Sequence, residues 1–315
     1  MGVDTMKMTV ILTGVACALL SIVPVTSEAT IYWTPAHELA PQGHSTTMVA
    51  GDLDGDGDCD LSLLGAGPYH YWNIGTAQEP AWELDVGQFG GVIGCSYRNG
   101  GLGDVDGDGD LDLAIGCYYE EGLHFYWNLG PPTTPVWGAA SSVLEGVTKP
   151  IDHVGPRFCD IDADGDLDLL VMRGNGRVWL AENVGTVTDA QFVETGWMEG
   201  IPLGSGAGPT MGLGDLDLDG DIDLVRVTWD TPPECFENVG TPSDFEFVVN
   251  EDMLTGLVVP PSGYGKGVEL LDIDADGDPD MILVRGYGEN LLFLNEGTTT
   301  SVEPTSWGVI KAMYR

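Results

Sequence analysis

The stretch Gly103-Asp104-Val105-Asp106-Gly107-Asp108-Gly109-Asp110-Leu111-Asp112-Leu113 places five carboxylates on alternate residues, with small or apolar residues between them. Calcium takes six to eight oxygens at about 2.3–2.6 Å. With Asp104 as position 1, side chains at positions 1, 3, 5 and 9 and the carbonyl at 7 can supply them if the chain turns sharply at position 6. Gly109 stands there, and glycine tolerates the backbone angles of such a turn. On this reading Asp104, Asp106, Asp108 and Asp112 ligate through carboxylates, while Asp110 offers its carbonyl and adds charge.

The loop occurs five times. The other four are Asp52, Asp54, Asp56, Asp58, Asp60; Asp160, Asp162, Asp164, Asp166, Asp168; Asp215, Asp217, Asp219, Asp221, Asp223; and Asp272, Asp274, Asp276, Asp278, Asp280, each with glycine at position 6. Successive starts lie 52, 56, 55 and 57 residues apart, a near-constant period of the kind that marks a repeat architecture. An EF-hand needs a helix on each side and a bidentate glutamate at position 12. Position 12 here is Leu63, Ile115, Val171, Arg226 and Leu283, and the flanks read as short apolar strands bounded by glycines. The loops are therefore calcium loops on a sheet.

The rest of each period supports that class. Third strands end in Tyr71-Trp72-Asn73, Tyr126-Trp127-Asn128, Ala181-Glu182-Asn183, Phe236-Glu237-Asn238 and Phe293-Leu294-Asn295. Each Asn is followed two residues on by glycine, a pair suited to the positive backbone angles of a tight hairpin. Trp82, Trp137, Phe192 and Phe247 mark fourth strands. Four strands per period and no convincing amphipathic helix predict an all-β, five-bladed β-propeller of four-stranded antiparallel blades. The fifth period lacks an aromatic fourth strand, while Ile31-Tyr32-Trp33-Thr34-Pro35 matches Pro80-Ala81-Trp82. The N-terminal strand is thus expected to complete the last blade and close the ring, removing exposed sheet edges.

These D-x-D-x-D-G-D-x-D-L loops with N-x-G hairpins resemble the FG-GAP/VCBS repeat family, the calcium-loop propellers also found in integrin α-subunit heads. The resemblance covers about residues 30–298 and implies the propeller fold and the metal. Phe89-Gly90-Gly91 is the one partial echo of the family's Phe-Gly…Gly-Ala-Pro signature.

The formal charge is −39, and the loops hold 25 of the 50 acids. Nucleic acid and anionic membranes are therefore poor partners, because phosphate contacts need clustered Lys and Arg. Residues 1–29 read as a secretory signal: Lys7, an apolar run from Met8 to Val25, and Ser27-Glu28-Ala29 as the cleavage site. A single-span anchor and a lipoprotein at Cys17 are the alternatives. Residues 30–298 form the propeller, and residues 299–315 a tail that either frays or serves sorting or anchoring. Five cysteines remain once residues 1–29 are removed, and this odd, irregular set argues against a disulfide framework, although Cys95 and Cys117 flank the second loop and can meet across a hairpin.

If the metal loops crowd one face, the opposite face carries the unusual side chains. Arg98, Arg157, Arg173, Trp229, Tyr264, Arg285 and Tyr287 are the candidate ligand residues there, with Arg177, His44, His153, Glu120, Glu121 and Asp230 nearby in sequence. Arginine binds carboxylates bidentately and aromatic rings stack on sugar faces. No nucleophile elbow, P-loop or zinc motif is present, so no enzyme is expected. The reading is a secreted, calcium-binding propeller for extracellular glycan or protein. A self-assembling surface protein is the alternative, with a polysaccharide-active enzyme third.

Overall fold

The computed structural model describes residues 31, 33–35, 47–64, 69–92, 99–117, 122–131, 133–145, 147, 155–204, 208–229, 231–241, 244–259, 265–285 and 290–295. After β1 (Trp33–Pro35), the first blade is β2 (Thr47–Gly51), β3 (Asp60–Leu64), β4 (Tyr69–Asn73) and β5 (Trp82–Asp85). The second is β6 (Asn99–Gly103), β7 (Asp112–Gly116), β8 (Leu123–Asn128) and β9 (Trp137–Ala139). The third is β10 (Gly155–Cys159), β11 (Asp168–Met172), β12 (Val178–Asn183) and β13 (Phe192–Trp197). The fourth is β14 (Thr210–Gly214), β15 (Asp223–Val227), β16 (Glu234–Asn238) and β17 (Phe247–Val249). β18 (Gly265–Leu271), β19 (Asp280–Arg285) and β20 (Leu291–Asn295) make the fifth sheet, with β1 as its outer strand. Apart from strands, the described residues hold two short 3-10 turns, Ser141–Leu144 and Glu251–Leu254.

Each sheet is an antiparallel meander, and its second strand is apolar on both faces because blades cover it on both sides. β3, β7, β11 and β15 are buried at every residue. The core is accordingly not one mass but five clusters, one between each pair of neighbouring blades. Met48, Leu61 and Leu63 of the first blade meet Ile282, Val284 and Leu292 of the fifth in one of them. Ile31 and Trp33 join the cluster between the fourth and fifth blades, and the Trp33 indole N–H donates to the Met253 carbonyl at 2.9 Å.

β1 pairs with β20 in the register Trp33↔Asn295. That register repeats around the molecule as Trp82↔Asn73, Trp137↔Asn128, Phe192↔Asn183 and Phe247↔Asn238. The N-terminal segment therefore occupies the outer-strand position that its aromatic motif suggested.

The N-x-G hairpins form, but for a different reason from the one expected. Among the described turns, the glycines after the third-strand Asn do not adopt positive φ. They are needed because the chain folds back upon them: a Cβ on Gly130 would lie 2.2 Å from the Thr134 carbonyl oxygen, and one on Gly185 2.2 Å from that of Asp189. The asparagine side chain holds the turn. Asn128 Oδ1 accepts from the Gly130 and Val136 amides at 3.2 and 3.1 Å, and Asn73, Asn183 and Asn238 do the same in their blades.

Candidate functional site

The acidic loops join the first and second strands of each blade, so all five fall on one face of the ring. Their local geometry follows from two left-handed residues. Position 6 is glycine throughout, at φ +95 to +102° from Gly57 (+96°) to Gly277. Position 4 is left-handed as well, which the sequence reading missed. Gly55 and Gly107 take it without strain, but Ala163, Leu218 and Ala275 stand at φ +57 to +60°, the only non-glycine residues so placed among those described.

Inside this frame the carboxylate at position 1 organises the loop. Asp104 Oδ1 accepts from the Asp108 amide and Oδ2 from the Gly109 amide, both at 3.1 Å. Asp52, Asp160, Asp215 and Asp272 repeat both bonds at 3.0–3.1 Å. The carboxylate at position 9 does something the spacing alone did not indicate. Asp112 is buried, with Oδ2 accepting from the Val105 amide at 3.1 Å and Oδ1 from the Asn128 amide at 2.9 Å. Asp60, Asp168, Asp223 and Asp280 make the same two bonds. Position 9 thus ties the acidic loop to the end of the third strand, and in the loops starting at Asp52, Asp160 and Asp215 it also contributes an oxygen to the acidic cluster.

Carboxylates at positions 1, 3 and 9 bring oxygens within 4.8 Å of one another in the loops starting at Asp52, Asp160 and Asp215, as do positions 1, 3 and 5 in those starting at Asp104 and Asp272. Each blade therefore carries an acidic cluster able to hold a metal ion. Asp106 and Asp217 at position 3 each bury an oxygen that meets no donor, and so do Asp58, Asp166 and Asp278 at position 7. Position 7 was expected to act through its carbonyl; its side chain also turns inward in those three loops. Burial, which outweighs the two backbone donors, pushes Asp60, Asp112, Asp168 and Asp280 up to about 7 and Asp223 to about 8. Burial and the charges of neighbouring aspartates likewise raise Asp106, Asp58 and Asp278, the last two to about 6 and about 7. Buried oxygens that repel one another and lack donors are what a hard cation satisfies, so the residues fit the metal that the loop pattern implies.

Among the described residues, those expected on the opposite face do not form one site. Arg98, Tyr264 and Tyr287 lie outside the described residues. Arg157 requires correction: it is buried on β10, where its guanidinium pairs with Glu269 Oε1 at 2.6 Å and donates to the carbonyls of Gly100 and Val268. It bolts three blades together at the ring centre and is no part of an open surface. Burial raises Glu269 to about 7, with Arg157 holding it down against that trend. Trp229 is half-buried against Gly208, and Arg285 ends β19, where its amide donates to Asn290 Oδ1 at 3.2 Å. Arg173 sits instead with Arg177 over the ring of Trp197, at 5.8 and 4.5 Å from its centroid. Trp197 was not among the expected residues.

Arg226 was also missed as a structural residue. It is 1 % exposed, ion-paired to Glu234 at 3.0 Å, and donates to the carbonyls of Gly176 and Pro202 in the third blade at 2.9 and 2.7 Å. Its signal was visible as the lone charge at position 12, where the other loops are apolar. Cys117 is disulfide-bonded, while Cys95, its expected partner, lies outside the described residues; Cys59, Cys159 and Cys235 are free. No helix among the described residues is long and apolar enough to cross a membrane.

Comparison with known proteins follows the repeats. No curated protein matches the chain. Among solved structures, an Agrocybe aegerita lectin described as recognising non-reducing terminal N-acetylglucosamine aligns at 16 % identity and TM-score 0.38, over 81 % of this chain and 61 % of its own. The Photorhabdus luminescens Tc holotoxin pore aligns at 16 % and 0.42, over 84 % of this chain and 14 % of that one. BBS1N, solved in complex with ARL6DN, aligns at 11 % and 0.39, over 84 % and 97 %. Likenesses this distant say nothing about ligand. The FG-GAP-like repeat matches at residues 104–171, 160–226 and 215–283, more than half of the 315 residues. With five loops of one geometry on five blades of one topology, the chain belongs to the FG-GAP-like repeat family.

Proposed function

We propose that this chain is a secreted, calcium-stabilised binding module whose ring presents recognition residues for extracellular glycan or protein on the face away from the metal loops. The observation that carries the calcium half is the set of buried, donorless carboxylate oxygens at Asp58, Asp106, Asp166, Asp217 and Asp278. Calcium supplies positive charge to oxygens that otherwise repel one another, and oxygen-only clusters suit it better than softer metals. Positions 1, 3, 5, 7 and 9 of each loop would hold it. Support for export comes from the leader-like segment at residues 1–29.

The binding half rests on rigidity and composition. Five inter-blade cores and the buried Arg157 and Arg226 anchors leave the scaffold little freedom, so ligand groups on it are preorganised. The module is read as binding without turnover. Self-assembly is a second reading, favoured by the exposed apolar side chains of outer strands, such as Leu84, Val193 and Val249.

Melting the full chain in millimolar calcium and in EGTA tests the first half. Sites of extracellular type, filled at ten times Kd, add about 1.4 kcal/mol each, or roughly 7 kcal/mol for five. Whole domains are stable by about 5–15 kcal/mol, so the shift should be large. An unchanged melt sinks the calcium reading. A glycan array in calcium tests the second half, and a blank array from folded protein turns the reading towards protein partners or self-assembly.

A further inference from the structure

The five blades repeat one another closely, so a local departure from the repeat stands out. Among the described residues the third blade has the longest outer strand. β13 spans six residues, where β1, β9 and β17 span three and β5 four. A bulge lengthens it. Ala181 pairs with Glu194 and Leu180 with Gly196, so Thr195 is left over, and Gly196 takes φ +126°. Bulges re-aim the side chains that follow them. Here the result is that Trp197 faces Trp179, their ring centroids 6.0 Å apart, at the end of the blade away from the metal loop.

Two arginines meet it there. The hairpin Arg173-Gly174-Asn175-Gly176-Arg177 is closed by the Arg173 amide on the Arg177 carbonyl at 2.9 Å and the Gly176 amide on the Arg173 carbonyl at 2.7 Å. Both guanidinium groups lie over the Trp197 ring, Arg177 the closer at 4.5 Å. Trp197 remains 38 % exposed. In a chain with 50 acids and 11 bases, Arg177 has no carboxylate partner among the described residues. A guanidinium stacked on an indole keeps its N–H edge free, and that edge is shaped for a carboxylate.

Beside this pair runs an open groove of about 390 Å³, lined by Arg177 and the crossing from Met198 to Leu203. Its walls are fixed. Arg226 Nη1 donates to Gly176 on one wall and Pro202 on the other, and the Gly204 amide donates to the Asn175 carbonyl at 2.9 Å. Ligand grooves of about 300–1,000 Å³ are the usual size for small molecules. Within the groove Glu199 accepts hydroxyl donors and Arg177 takes a carboxylate, and the part of Trp197 that Arg177 leaves exposed beside the groove offers the sugar an apolar contact. A bare carboxylate on a peptide would use Arg177 and leave Glu199 and Trp197 idle. The acidic loops do not oppose such a ligand. β12 is six residues long, which puts them about 20 Å away, more than two screening lengths of roughly 8 Å at physiological salt.

We propose that the groove beside Arg177 and Trp197 on the third blade binds a carboxylate-bearing saccharide, the sugar acid anchored on Arg177 and its ring packed against the exposed edge of Trp197. This rests on the binding-module reading above and gives it a place and a ligand class. The test uses the full chain in millimolar calcium, first on an array carrying uronate- and sialate-terminated glycans beside neutral ones. Calorimetry with digalacturonate and its dimethyl ester follows, the ester keeping the rings and losing the charge. Wild type should bind the acid in preference to the ester, and Arg177→Gln should weaken the acid by about tenfold or more at an unchanged melting temperature. Trp197→Leu should weaken acid and ester together. Equal binding of acid and ester, no binding of any carboxylated glycan, or an Arg177→Gln protein that binds as wild type each overturns the proposal. Neutral-glycan binding that ignores Arg177→Gln would leave the binding-module reading standing while this one falls.

Discussion

The double use of the acidic loops makes a prediction with opposite signs at two residues of one loop. Asp112 accepts two backbone amides, Val105 and Asn128, and is 1 % exposed. Replacing it with alanine strands both donors whether or not metal is bound. A buried donor left without a partner costs about 1–3 kcal/mol, so the pair costs about 4 kcal/mol, or roughly 8–16 °C in melting temperature. Asp106 differs: one of its oxygens is buried with no donor, and its carboxyl is raised by burial first and by the charge of Asp108 second. Asp106→Ala therefore removes repulsion when metal is absent and removes a ligand when metal is present. In EGTA it should melt at or above wild type. In calcium it should melt lower, by the roughly 1.4 kcal/mol of one filled site. The assay is thermal unfolding of wild type and both variants in calcium and in EGTA. If Asp112→Ala costs nothing in EGTA, position 9 is a ligand and no more. If Asp106→Ala is equally harmful in both buffers, the loop does not hold a cation through that residue.

Two further outcomes follow from single residues. His70 is fully buried, with Nδ1 2.8 Å from Ser62 Oγ, and burial lowers it to about 4 against the small opposing pull of Asp85. The unfolded chain takes up that proton near pH 6.5 and the folded one only near pH 4, so stability is intact above pH 6.5 and lost between those values on acidification. The slope is about 1.4 kcal/mol per pH unit. Urea unfolding from pH 7 to pH 4.5 should show it as the difference between wild type and His70→Gln, and parallel curves for the two proteins would refute it. Leu218 holds a left-handed φ of +60° while 52 % exposed, so Leu218→Gly relieves backbone strain with little burial lost and should stabilise by about 0.5–1 kcal/mol. A lower melting temperature in calcium would show that the leucine side chain contributes more than its conformation costs.

What was legible in the sequence is what is local. The bonds from Asp104 to the amides of Asp108 and Gly109 close within five residues, so the alternation of Asp with Gly carries the loop by itself. Five copies at one spacing carry the blades. The work of Asp112 was not read, because its second donor, Asn128, lies sixteen residues on, although the constant Asn at the end of every third strand was the trace of it. The N-x-G glycines were recognised as turn residues, but the reason was wrong: backbone crowding between positions several residues apart is a packing fact, and it leaves the same glycine in the sequence as a positive φ does.

Arg157 shows where residue type misleads. Few bases in an acidic chain suggested a ligand face, yet a buried guanidinium is also the side chain best able to satisfy carbonyls from several strands at once, and Gly100 and Val268 belong to different blades. Nothing within its own repeat distinguishes the two uses, since the partner Glu269 is 112 residues away. Arg177 carries the opposite lesson. Its repeat matches the others in loop, period and third-strand Asn, and what sets it apart is one extra residue in β13 that turns Trp197 under the guanidinium. A repeat period describes what the blades share and therefore reports on the acidic loops and the ring. Recognition of a ligand by one blade has to come from what that blade does not share, and a single-residue bulge is too small to disturb the period that made the fold readable.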